Sequence, residues 1–398
     1  MAKLFNQGGV NKKKAKKINS YLTFTEGPNL FLPKNRIPPQ MKKKPTNIIP
    51  WFYYLGWILF AVFLVQCQSR AGKTPSANLT LYDKQKGAHV FGRIDTINFQ
   101  AMRAAHIDWI TLVAWASQED YDRPMMKHHY GDRLQTIRRD SMWLKRLQNA
   151  KEAGFKVFVK PHIWIDEPSA GKWRSDIYPN NEADWETWKK SYRSFILRYA
   201  KIAAQGQAEM FCIGTELTRL SVEKPNFWKG LIQEVRTIYP GKITYAANWY
   251  QEFDQITFWD QLDYIGIQAY FPLVDQHYPS TQAISDGWQQ HIPAIVATHK
   301  QFNRKILFTE MGYKSTADSA SKPWEWMEYS PQADSLFSLE TQRNCYQAFF
   351  DTVWDQAWFA GVHLWQLRGD FVVDPKRRDL DFTPQGKPAM GVIGEGFR

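Results

Sequence analysis

The sequence predicts a (β/α)8 barrel, and three observations carry that expectation. Short β-rich runs alternate with amphipathic helical patterns from Gly87 onward, the sign of a parallel sheet covered by helices. Two of these runs stop on a glutamate: Phe211-Cys212-Ile213-Gly214-Thr215-Glu216-Leu217 and Ile306-Leu307-Phe308-Thr309-Glu310-Met311-Gly312-Tyr313. Their separation, 310 minus 216, is 94 residues. A barrel of ~250 residues spends ~31 on each βα unit, so this is about three units. Finally, the alternating units show no obvious internal repeat, which argues against a solenoid. No Gly-rich phosphate turn follows the first run, which argues against a doubly wound open sheet.

The chain of 398 residues begins with a segment unlike the rest. Residues 1–47 are rich in Lys, Asn and Pro with little periodicity, and read as a disordered basic tail. Up to Lys44 there are ten lysines and Arg36 against Glu26, a balance of +10 out of a total net charge of +12. Residues 68–398 are therefore nearly neutral, and nucleic-acid binding is not expected of the main domain.

From Ile48 to Val65 the chain runs 18 residues without a charge, close to the ~20 needed to span a bilayer. Residues 48–67 are expected to be a membrane anchor. The preceding lysines place the N-terminus in the cytoplasm and the following domain outside it, at the periplasmic or cell surface. An alternative start at Met41 would make Met41-Lys42-Lys43-Lys44 and the apolar run a signal peptide ending at a lipidated Cys67. Gln66 fits that processing site poorly, so a retained anchor is preferred. Residues 68–86 read as a polar tether, and 87–398 as the folded domain.

The strand candidates, in order, are Ala88–Gly92, Trp109–Ala114, Phe155–Lys160, Glu209–Gly214, Ile243–Ala247, Tyr264–Gln268, Lys305–Thr309 and Gly361–Leu364. Between them lie signed helices. Trp185, Trp188, Tyr192, Phe195, Ile196 and Tyr199 give 184–200 one apolar face. Phe227, Leu231, Val235 and Ile238 do the same for 226–239, and Gly241 follows as a stop. Cys212 and Cys345 read as buried free thiols, since three cysteines cannot make a disulfide framework.

Functional groups of a barrel gather where its strands end. The candidate ends carry Trp115, His162 with Trp164, Glu216, Asn248 with Trp249, Tyr270, Glu310 and Trp365. This set is acidic, aromatic and amide-rich. Sugar hydroxyls want amide and carboxylate partners, and a sugar's C–H face packs on rings, so a saccharide fits better than a phosphate, which would want glycines and helix N-termini. Two carboxylates across one cleft are the minimum for cutting a glycosidic bond. A separation of ~5 to 5.5 Å gives retention through a covalent intermediate, and ~6.5 to 9.5 Å gives inversion. Lys160 shares the strand face of His162 and reads equally as a mouth ion pair or as rim exposure. His162 itself reads equally as a functional group or as a satisfied barrel histidine. His128-His129 reads as solvated surface, and neither a metal nor a cofactor is expected.

Together, Lys160-Pro161-His162-Ile163-Trp164, Gly214-Thr215-Glu216-Leu217, Thr309-Glu310-Met311-Gly312-Tyr313 and Gly386-Lys387-Pro388-Ala389 resemble glycoside hydrolase family 113, in the large retaining clan A of barrel glycosidases. The resemblance spans about 87–395. It implies that Glu216 is the acid/base and Glu310 the nucleophile. It also implies that Tyr270 orients Glu310, that Trp365 floors the subsite at the cleavage point, and that the substrate is a β-1,4-mannan. One position departs from the wider clan: Thr215 stands where many members place an Asn that holds the sugar 2-hydroxyl. Either Asn248 or His162 then makes that contact, or the subsite accepts a different sugar.

The expectation is thus a membrane-tethered retaining β-glycoside hydrolase with a monomeric catalytic domain acting on a mannan or manno-oligosaccharide. A non-catalytic glycan-binding protein on the same fold, and a hydrolase of the host's own envelope glycan, are the alternatives. The long segments 117–139, 166–184 and 314–335 are expected to shape the cleft.

Overall fold

The computed structural model of this protein describes residues 84–92, 96–127, 133–326, 334–369 and 379–398. The expected tail and anchor, nearly all of the tether, and His128-His129 lie outside the described residues. Among the described residues no helix is long and apolar enough to cross a membrane.

The sheet is a closed barrel of parallel strands, β1 Gln85–Phe91, β2 Trp109–Gln118, β3 Lys156–Ile165, β4 Met210–Thr215, β5 Lys242–Asn248, β6 Ile265–Gln268, β7 Ile306–Met311 and β8 Phe359–Arg368. Each strand pairs with the next, and β1 pairs with both β8 and β2, which closes the ring. Outside the ring a two-residue strand, Met126–Lys127, pairs antiparallel with Ser117 and Gln118. All eight expected strands are present, and Glu216 and Glu310 fall at the fourth and seventh.

Several strands run further than their apolar residues. The β2–β3 ladder holds from Trp109 opposite Lys156 to Gln118 opposite Ile165, so Trp115, His162 and Trp164 lie on strands and not beyond them. Asn248, Glu310 and Trp365 likewise sit inside β5, β7 and β8. Backbone pairing does not require apolar side chains. The alternation of side chains turns Trp115 and His162 toward the mouth, while Gln118, of the other parity, accepts from Trp188 of the helix layer.

That alternation divides the interior in two. On β3, Val157, Val159, Ile163 and Ile165 join the large core between barrel and helices, as do Phe211 and Ile213 of β4. The opposite parity fills the barrel itself with Trp109, Phe158, Met210, Cys212, Ala246, Leu307 and Ala360. Above this plug the same parity brings in Lys160 and His162, both buried.

The outer layer comprises α1 Thr96–Ala104, α2 Arg133–Glu152, α3 Glu182–Gln205, α4 Thr218–Glu223, α5 Pro225–Ile238, α6 Thr281–Phe302, α7 Leu339–Phe349 and α8 Pro388–Gly396. In α3 the Asn181 side chain caps the first turn by accepting from the Asp184 N–H at 3.0 Å, and the buried face is the predicted one, from Trp185 to Tyr199. In α5 the buried face is Trp228, Leu231, Ile232 and Val235, so Phe227 and Ile238, expected inside, flank it. Helix α2 starts at Arg133, inside the segment expected to be cleft loop. The β5–β6 connection, 249–264, has no α-helix; buried Phe253, Ile256, Phe258 and Trp259 cover the barrel there. Cys212 and Cys345 are buried and free, as expected.

Gly266 on β6 faces Ala246 of β5, and a Cβ there would stand 2.1 Å from the Tyr245 carbonyl oxygen. Backbone, unlike a side-chain tip, cannot swing aside. Gly266→Ala is expected to destabilise the fold by about 1–3 kcal/mol, read as a lower urea midpoint at unchanged m-value.

Candidate active site

The mouth is built around two buried carboxylates. Glu310 reaches it through a slip in the ladder: Ile267 pairs with Phe308 but Gln268 pairs with Glu310, so Thr309 is an extra residue on β7. Phe308 then packs outward among the helices while Glu310 turns into the barrel, the re-aiming of a side chain that a bulge produces. Its Oε1 receives the Lys160 ammonium in a buried ion pair, with His162 Nε2 at 3.5 Å and His89 Nε2 at 3.7 Å. Its Oε2 accepts from the Tyr270 hydroxyl at 2.9 Å.

Glu216 follows β4 directly, with a backbone φ of 51°, a left-handed conformation uncommon for a residue with a side chain. Two amide bonds hold it there. The Glu216 N–H donates to the Ala246 carbonyl at 2.9 Å, and the Leu217 N–H to the Tyr245 hydroxyl at 2.8 Å. Its Oε2 accepts from Arg174 Nε at 2.8 Å, and Arg174 also reaches the Ile163 carbonyl and lies over the Trp173 ring.

The electrostatics follow from burial. Lys160 is fully buried, which settles the sequence's open choice in favour of an ion pair over rim exposure. Desolvation lowers its pKa, with Glu310 opposing. Burial and then the Lys160 charge hold His162 well below the usual histidine range, so its ring is neutral. Neither of its ring nitrogens has a hydrogen-bond partner among the described residues, so it is not a satisfied barrel histidine. Burial and then Glu310 keep the Tyr270 proton in place far above the usual range, so Tyr270 is a donor to the carboxylate. Gln268 bridges Lys160 and Thr309 through Oε1, at 2.8 and 3.0 Å, and its Nε2 has no partner among the described residues.

Aromatic rings line both flanks. Trp115 stands edge-on to His162 and Trp164, and Trp164 to Trp173. On the other side Trp365, Tyr270 and Phe382 form one cluster, with Trp249 stacked on Trp324 at 5.5 Å beside it. Exposed Trp326 leans on Trp365 and Phe382. Asn248 is half-buried, its Oδ1 accepting from the Tyr250 N–H at 3.2 Å. Thr215 donates its only proton to the Pro161 carbonyl at 3.2 Å, a bond to the neighbouring strand.

The structure thus brings Glu310 together with Lys160, His162 and Tyr270, and joins Trp365 to Tyr270. Sequence reasoning missed Arg174, Trp173, Trp324, Trp326, Phe382, His89, Gln268 and Glu252. His89 and Gln268 lie on predicted strands with the inward parity, a signal that was there to use. The others come from connections, where no periodicity marks them. Glu252 is a fully buried carboxylate whose pKa burial pushes up to about 7. Among the described residues no group of three or more His, Cys, Asp or Glu is placed to hold a metal.

The sequence profile of Glycoside Hydrolase Family 113 matches residues 90–387. Among solved structures, the GH113 β-mannanase of Alicyclobacillus acidocaldarius in complex with ManMIm is similar at 26% identity and a TM-score of 0.65, over 80% of this chain and 99% of that one. A complex of a GH113 β-1,4-mannanase gives 25% identity and the same TM-score, over 79% of this chain and 99% of that one. A β-glucuronidase from Ruminococcus gnavus, at 14% identity and a TM-score of 0.51 over 79% of this chain and 49% of that one, shares the barrel fold. No curated protein sequence matches the chain.

Two measurements test the electrostatics. Lys160→Met strands a buried carboxylate without its cation and should cost about 3–5 kcal/mol in urea unfolding; a loss below 1 kcal/mol would mean the pair is dispensable. His162 stays neutral in the fold but takes a proton when unfolded, so it stabilises above its unfolded pKa of about 6.5 and that stability is lost as pH falls below it. The drop in Tm between pH 7 and pH 5 should therefore be smaller in His162→Gln than in the native protein.

Proposed function

The chain belongs to glycoside hydrolase family 113 and is a glycoside hydrolase, and on that footing we propose that it cleaves β-1,4-mannan or manno-oligosaccharides with retention of configuration. The observation that carries this reading is the pair of buried carboxylates, one directly after the fourth strand and one on the seventh, in unlike settings, between walls of aromatic rings. The similar solved structures are themselves β-mannanases.

Roles follow from the settings. A nucleophile must stay ionised, and Glu310 has an ammonium on one oxygen and a phenol donor on the other. It attacks the anomeric carbon and forms a glycosyl-enzyme. Glu216 gives a proton to the leaving oxygen, and then takes one from the water that hydrolyses the intermediate. Its carboxylate rests against Arg174 in the free protein, so the acid step requires the incoming sugar to loosen that contact. Trp365 and Tyr270 are the floor of the subsite at the cleavage point, and Trp115, Trp164 and Trp249 are platforms for flanking sugars. With the Thr215 hydroxyl bound to Pro161, the contact to the sugar 2-hydroxyl is left to Asn248 or His162. Residues 48–67 are read as the anchor that keeps this domain at the outer face of a membrane.

Glu216→Ala and Glu310→Ala should each lower turnover of mannan by roughly 10²-fold or more. Azide should rescue them differently. With Glu310→Ala it attacks opposite the leaving group and gives the inverted glycosyl azide. With Glu216→Ala it attacks the glycosyl-enzyme and gives the retained one. Reducing-end release over mannan, glucan, xylan and envelope polysaccharides tests the substrate; activity confined to a non-mannan glycan, or full activity in either variant, would overturn the assignment.

A further inference from the structure

We propose that Glu252, acting through Tyr245, is the positioning residue for Glu216. The inference rests on the reading of Glu216 as acid/base. Glu252 lies in the β5–β6 connection with no exposed surface. Its Oε1 accepts from the hydroxyls of Tyr245 and Ser221, each at 2.6 Å, and its Oε2 accepts from the Asn248 N–H at 2.6 Å and the Thr218 hydroxyl at 3.1 Å. Two of these partners are on β5 and two are on α4, the helix that leaves Glu216. One carboxylate therefore clamps the ends of two neighbouring strands.

The clamp has a direction. Tyr245 has a single hydroxyl proton and gives it to Glu252, so a lone pair is left facing the Leu217 N–H, which donates to it at 2.8 Å. That amide is the peptide immediately after Glu216, whose left-handed φ of 51° persists only where its surroundings fix it. The Tyr245 ring also closes on this turn from beneath: a Cβ at Gly214 would stand 2.7 Å from Cε2 of the ring. From Ile213 to Leu217 the turn is held by Tyr192, Tyr245, the Ala246 carbonyl and, through Thr215, the Pro161 carbonyl, and among the described residues Glu252 makes no ion pair.

A buried carboxylate without a cation is a costly way to join two loops, since neutral side chains can make as many bonds. In its ionised form, which prevails only above its pKa of about 7, the carboxylate accepts at every site without donating. A donor facing Tyr245 would turn its proton toward Leu217 and break the hold on the turn. The group that benefits is Glu216, whose oxygen must meet the leaving oxygen within hydrogen-bond reach.

The test uses kcat/KM, which reports the glycosylation step, on two substrates: a manno-oligosaccharide, whose leaving sugar needs a proton, and a dinitrophenyl β-mannoside, whose phenolate leaves without one. Glu216→Ala sets the pattern, a large loss on the first and a small one on the second. Tyr245→Phe keeps the ring and deletes the hydroxyl, and should show the same split, roughly 10- to 100-fold on the oligosaccharide with the aryl mannoside little changed. Glu252→Gln should follow it, and the double variant should be no worse than the worse single one, because both break one linkage. Should Glu252→Gln fail to fold, Tyr245→Phe decides alone. Equal losses on both substrates, or none on either, would make the cluster a structural staple and overturn the proposal. If Glu216→Ala itself shows no split, the acid/base reading is what fails.

Discussion

The contact between the Lys160 ammonium and Glu310, deep in the mouth of the barrel, constrains more of this molecule than any other. Both groups are out of water, and neither charge is tolerable there alone. Their neighbours can be understood as consequences. Gln268 and the Thr309 carbonyl solvate the ammonium; Tyr270 solvates the far oxygen of the carboxylate. The imidazoles of His89 and His162, next to a fixed positive charge and buried, stay neutral. The site thus holds two carboxylates each matched by a cation, with uncharged imidazoles beside them, a combination suited to a neutral, hydroxyl-rich ligand.

The second carboxylate is controlled by its backbone. Glu216 ends a strand and turns at once into a helix in a left-handed conformation, so its direction depends on the peptides on either side of it. Its own N–H is tied to β5, and the next one to a tyrosine that is held by a buried glutamate. The chemistry proposed for the two residues calls for this difference. A nucleophile gains from a stabilised charge, whereas an acid that later acts as a base gains from a fixed position.

Family membership and the barrel establish a glycoside hydrolase. The rings that wall the mouth come from both strands and connections. Trp115, Trp164 and Trp365 are carried on strands and fixed by the ladder, while Trp173, Trp324, Trp326 and Phe382 come from the connections. Thr215, bonded to the adjacent strand, leaves the mouth to its neighbours.

The sequence by itself determined the eight strands, the helical faces of α3 and α5 in outline, and the two glutamates at the fourth and seventh strand ends. These are consequences of local periodicity, since a strand inside a barrel must be apolar toward its helices and a helix must present one face to the sheet. It could not determine how far the ladders run past the apolar residues, nor the one-residue slip that aims Glu310 inward, because both depend on a partner strand tens of residues away. It marked the segment that carries Arg174 but not the residue, and gave no sign of Glu252; both lie in connections without periodicity, and only the fold brings them against Glu216 and Tyr245. Only the tertiary structure decided that Lys160 is a buried counter-charge and not a rim lysine, because burial is a property of the closed barrel and not of the strand that carries it.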